Sequence, residues 1–178
     1  MSELRILVDH MKLEYTGLFD VNNLFRTIDA WLKERAFEKR TDMNQELNTP
    51  TGKFLEWVIA PWKKVSDYTR YIIKIRMLVY DLNTVEAVKD KKKLKLGQGR
   101  VLMYFDAYIE HDYEHRWDRT PMLIFLRTMY DKFIYRTYTE RFEHRLVYDT
   151  HYLFDVVETF FNMYKQYRPV SKVPHFVD

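Results

Sequence analysis

Two stretches of strict alternation constrain this chain more than any other feature of its sequence. Over 69–81, Tyr71, Ile73, Ile75, Met77 and Val79 share one face, and Arg70, Ile72, Lys74, Arg76, Leu78 and Tyr80 share the other. Over 100–113, Val101, Met103, Phe105, Ala107 and Ile109 lie opposite Arg100, Leu102, Tyr104, Asp106, Tyr108, Glu110 and Asp112. A side-chain period of two specifies strands, and an apolar face on each demands a layer to cover it. The period changes at Thr120-Pro121, a helix start with Thr as N-cap and Pro at the first helical position. From Met122 the pattern reads as helical to about Lys165, with a break near Val147-Tyr148-Asp149-Thr150. The last helix carries an apolar stripe of Leu153, Val156, Val157, Phe160, Phe161 and Tyr164.

The remaining elements follow from local chemistry. Residues 4–16 read as a strand whose Val8, Met11, Leu13 and Tyr15 alternate imperfectly, which suggests a bulge. Gly17 ends it, and Asp20 caps a helix over 21–35 buried through Leu24, Ile28, Trp31 and Leu32. A polar strand over 37–47 turns at Asn48-Thr49-Pro50-Thr51-Gly52 into a strand over 53–65. Pro61, lacking an N–H, puts that strand at an edge or a bulge. Ser66-Asp67 reads as a turn, Val85 to Val88 as a short strand, and Gly97-Gln98-Gly99 as a bend. Strands grouped before helices make an α+β fold. The expected architecture is a curved antiparallel sheet of about six strands packed against long C-terminal helices. It forms one domain over 1–167, followed by an extended tail over 168–178.

Composition narrows the function classes. With no Cys, the chain has no disulfide, thiolate metal ligand or Cys nucleophile. A formal net charge of +3 is weaker than the charge of a dedicated nucleic-acid binder. No apolar run reaches membrane-spanning length and the N-terminus lacks a signal-peptide pattern, so a soluble, cytoplasmic protein is expected. The aromatic content is 17%, with 14 Tyr, 12 Phe and 4 Trp. Since each ring buries about 150–250 Å², these residues fill a thick core or line a pocket.

The order of the strand at 4–16, the helix at 21–35, the meander at 37–113 and the helix at 150–165 resembles the START-like helix-grip superfamily, which includes lipid-transfer domains and polyketide cyclases. The resemblance implies a cavity between the sheet and the last helix that takes an apolar small molecule, without catalysis. Together with the aromatic excess, it nominates Ile73, Ile75, Met77, Met103, Phe105, Phe154 and Phe161 as the cavity wall. The chain has one helix where the superfamily usually has two, and lacks the glycine-rich loop of its allergen branch.

An alternative is an RNA-, ribosome- or protein-interaction module. Lys63, Lys64, Arg70, Lys74 and Arg76, beside Trp57, Trp62 and Tyr68, with Lys91, Lys92 and Lys93 of the densest basic run, would form a basic–aromatic surface. The bland reading of these cations is a solvated sheet face and a solubilising loop. A third option is a weak hydrolase or cyclase resting on Asp106, Glu110 and Asp112. His111 and His115 sit roughly 13 Å apart on a strand, too far to share an ion. Glu140, Glu143 and His144 suit a salt-bridged helix face with Arg141 and Arg145. No metal, cofactor or catalytic residue is expected, and no phosphate-binding or nucleophile motif is present.

Overall fold

In a computed structural model, which describes residues 3–66, 68–89, 92–111 and 136–169, the chain is α+β and mostly sheet. The order is β1 (Glu3–Phe19), α1 (Val21–Glu34), β2 (Thr41–Thr49), β3 (Gly52–Ile59), β4 (Trp62–Lys64), β5 (Thr69–Lys89), β6 (Lys92–His111), α2 (Arg136–Tyr164) and β7 (Arg168–Pro169). The sheet is antiparallel and open, in the order β1-β6-β5-β3-β2, with β4 and β7 both paired to β5.

The two alternating stretches pair with each other. Ile73 lies opposite Ala107, Ile75 opposite Phe105, Met77 opposite Met103 and Val79 opposite Val101, and all eight side chains are buried. Strand β5 runs further than the alternation implied. Asp81, at a φ of 53°, forms a bulge, and the strand resumes through Val85 and Ala87 to Lys89. The expected short strand at 85–88 is therefore the far half of one long hairpin. Pro61 does sit at an interruption, between β3 and β4, which pair with successive segments of β5.

Helix α2 packs on β1 and β6, and α1 packs on α2. The stripes merge into one core with the inner sheet face. The break expected at Val147-Tyr148-Asp149-Thr150 does not occur, since α2 is continuous through it. Weak local propensity is overridden by burial and by side-chain partners, one inside the helix and one on α1's C-terminal cap. The Thr150 hydroxyl donates to the Leu146 carbonyl at 2.8 Å, and Asp149 pairs with Arg35 at 2.9 Å. The expected helix over 122–135 and the tail beyond Pro169 lie outside the described residues, while Arg168–Pro169 is a short strand on β5.

Strand β2 starts later than expected, at Thr41, and all nine of its residues are exposed. It forms one sheet edge and neither helix covers it. The β2–β3 hairpin is held instead at its tip. Asn83 Nδ2 donates to the Thr51 carbonyl at 2.8 Å, and the Thr51 hydroxyl donates to the Asp81 carboxylate. This approach requires Gly52, whose φ is +154° and whose absent Cβ would stand 2.8 Å from the Asp81 carbonyl carbon. Gly52→Ala is expected to lower stability by about 1–3 kcal/mol, read as a shift of the urea midpoint.

Candidate functional site

Uncovered β2, with β3, the β5 bulge and the first turns of α1, borders an open recess of about 660 Å³. Three sequence features place its walls. Asp20 caps α1 by accepting from the Asn22 and Asn23 amides, at 2.9 and 3.2 Å, and so sets Val21, Asn22 and Phe25 along one side. Period-two alternation turns Asn44, Glu46 and Asn48 of β2 inward, opposite Trp57, Leu55 and Lys53 of β3. The β5 bulge brings Leu82, Asn83 and Thr84 to the far end.

The floor is apolar. Phe25 packs on Trp57 with ring centroids 4.6 Å apart, and both Leu55 and Leu82 are half-buried against the core. The rim is polar and balanced in charge. Its two ionic residues among those described, Glu46 and Lys53, pair with each other at 2.6 Å across β2 and β3. A second recess of about 430 Å³ lies between Asn23 and the end of α2, at Tyr164 and Tyr167. Burial raises the Tyr164 phenol above its ordinary value, and the Asn23 amide donates to its oxygen at 3.3 Å.

The residues nominated as a cavity wall lie elsewhere. Ile73, Ile75, Met77, Met103 and Phe105 are fully buried in the core beneath α2, and Phe161 nearly so. Phe154, half-buried, meets Phe105 edge-on at 5.6 Å. The two recesses described above are lined by other residues.

The cations nominated for nucleic acid are dispersed among acids. Arg70 Nε donates to Glu110 at 2.6 Å, and Arg76 pairs with Glu56 at 2.9 Å. Lys63 donates to the Arg35 carbonyl at 2.7 Å and lies over the Phe37 ring. Lys64 is exposed on β4, and Lys74 stands opposite Asp106 in the β5–β6 register. Lys92 and Lys93 open β6, while Lys91 lies outside the described residues. Of the carboxylate face, Asp106 and Glu110 are buried on the outer side of β6, and Asp112 lies outside the described residues.

His111 ends β6, with its Nδ1 3.0 Å from the Thr69 hydroxyl and its ring stacked on Tyr68; His115 lies outside the described residues. On α2, Glu143 pairs with Arg5 of β1, and Glu140 and His144 are exposed.

A different group brings metal-capable donors together. Asp9, His10 and Asp106 place one donor atom each within 4.8 Å of one another and are the residues, among those described, that could hold a divalent cation. Neighbours on a regular strand face opposite ways, which is why sequence reading passes over Asp9-His10. The β1 irregularity between Val8 and Met11 changes that, with His10 at a φ of 50° and its N–H donating to Asp106 at 2.7 Å. The bulge inferred from imperfect alternation was the available signal.

The hydrogen bond that the His10 ring donates to Asp9, and then the Asp106 charge, raise the His10 pKa above its ordinary 6.5, against weaker opposition from desolvation and Lys74. Because the folded value is raised, any stabilisation by His10 is fully present below 6.5 and is lost as pH rises through the folded value. The ring is 71% exposed, so the effect on stability is small. An imidazole NMR titration is expected to give His10 a midpoint above that of an unstructured histidine peptide, and Asp9→Asn is expected to bring it down.

No family model, curated protein or solved structure matches this chain.

Proposed function

We propose that this chain is a small-molecule-binding domain of helix-grip type that works without catalysis, and that its ligand occupies the recess between α1 and the β2–β3 hairpin. The observation carrying this reading is the recess itself. At about 660 Å³ it falls within the range of small-molecule sites, roughly 300–1,000 Å³, and it has an apolar floor and a polar rim. The element order of strand, helix, antiparallel meander and helix supports the helix-grip assignment. The same order implies an apolar cavity beneath the last helix, whereas the ligand proposed here lies between α1 and the β2–β3 hairpin.

A basic–aromatic face for RNA, a ribosome or a partner protein has less support, because Arg70 and Arg76 of that face are matched with carboxylates. The proposal is tested by following backbone amide resonances during titration with a library of small fragments. Binding is expected to shift resonances of Val21 to Phe25, β2 and β3, and Leu55→Trp, which fills the floor, is expected to abolish those shifts. Shifts confined to the outer face of β5 and β6, or tight salt-dependent binding of single-stranded RNA there, would favour the interaction module instead.

A further inference from the structure

We infer that the recess selects an uncharged amphiphile, a compact molecule with one apolar side and several hydroxyl or amide groups on the other. This rests on the recess being the ligand site. Among the described residues, Glu46 and Lys53 are the ionic side chains of the rim, and each is the other's partner at 2.6 Å. An anionic ligand would have to compete with Glu46 for Lys53, and a cationic ligand with Lys53 for Glu46. A neutral ligand leaves the pair intact and disturbs no ion.

The hydrogen-bonding groups agree with this. Asn22, Asn44 and Asn48 border the recess and their side chains make no hydrogen bond to another described residue. Each amide offers both a donor and an acceptor, the pairing that hydroxyl and amide groups require. Asn83 is different, since its donors are spent on the Thr51 and Asp81 carbonyls and it serves as a strut. Beneath these amides, Phe25, Leu55 and Leu82 offer carbon surface to the ligand's apolar side. Amides on β2 and α1 above a floor of rings and aliphatic carbons suit a molecule that is polar along one edge and apolar along the other.

Three probes sharing one alkyl tail separate the possibilities: octyl glucoside, octyl sulfate and octyltrimethylammonium, each titrated below its micelle concentration with amide and side-chain NMR as the readout. Octyl glucoside is expected to bind at the recess at least tenfold more tightly than either charged probe and to shift the Asn44 and Asn48 side-chain amides. Asn44→Ala with Asn48→Ala is expected to weaken it at least fivefold while leaving the fold's amide spectrum unchanged. Glu46→Gln frees Lys53 and is expected to raise the affinity for octyl sulfate at least fivefold. Equal binding of all three probes at the recess would overturn the neutral-ligand inference and leave the recess as a binding site. Absence of any shift there would overturn both.

Discussion

Phe161→Ala is expected to remove about 3–5 kcal/mol of folding stability, the usual range for deleting a fully packed ring. Phe161 is 2% exposed and joins two elements of the core, α2 and β1. Its ring stacks on Tyr15 of β1 at 4.6 Å and meets Phe19, at the end of that strand, edge-on at 5.8 Å. It also contacts Phe160 of its own helix at 5.5 Å. Removing the ring leaves a cavity that these side chains cannot close, because Tyr15 is tied to the Leu18 carbonyl by a 2.9 Å hydrogen bond. Urea unfolding followed by far-UV circular dichroism measures the loss as a fall in the midpoint at unchanged slope. Phe161→Leu is expected to lose less, since part of the volume is retained. A loss under about 1 kcal/mol for Phe161→Ala would mean that α2 is not seated on β1 as described.

The second large effect is electrostatic. Arg35 follows α1 directly, and its Nη1 lies 2.9 Å from Asp149, whose side chain is only 4% exposed. The guanidinium also lies 5.0 Å from the centroid of the Tyr152 ring and 6.0 Å from that of Trp31. Arg35→Ala strands a buried carboxylate and is expected to cost about 3–5 kcal/mol at neutral pH. Adding Asp149→Asn to Arg35→Ala removes the stranded charge, so the double variant is expected to be more stable than Arg35→Ala alone. Urea midpoints of the four proteins in the cycle decide it. A double variant that merely sums the two single losses would show that the pair is not coupled.

The sheet was legible because its chemistry is local. Tyr71 to Val79 and Val101 to Ile109 declare their buried face by alternation, and each set lies inward as expected. Asp20 as a cap, Pro61 as an interruption and the bulge in β1 were equally readable, because each follows from a single residue's geometry or a slip in the period. Two expectations failed where side-chain partners outweigh propensity. Asp149 and Thr150 look like helix breakers until Arg35 and the Leu146 carbonyl satisfy them. Asp81 and Leu82 look like the end of a strand until the β2–β3 tip docks on the bulge.

The candidate site was hidden for a related reason. Rings and methionines mark a buried face, but nothing in their pattern distinguishes a packed core from a cavity wall, so the nominated residues around Phe105 and Met103 are core. The recess borders are polar. Asn44, Glu46 and Asn48 do alternate with Met43, Gln45 and Leu47, and that alternation was readable. What no local pattern conveys is that α1 stops short of β2 and leaves that face bare.

Where a ligand sits is therefore the central question, and intermolecular nuclear Overhauser effects answer it most directly. With octyl glucoside bound to selectively methyl-labelled protein, contacts are expected from the alkyl chain to the Leu55 and Leu82 methyls and to the Phe25 ring. Contacts to the Ile73, Ile75 and Met103 methyls instead would put the ligand beneath α2 and contradict the account.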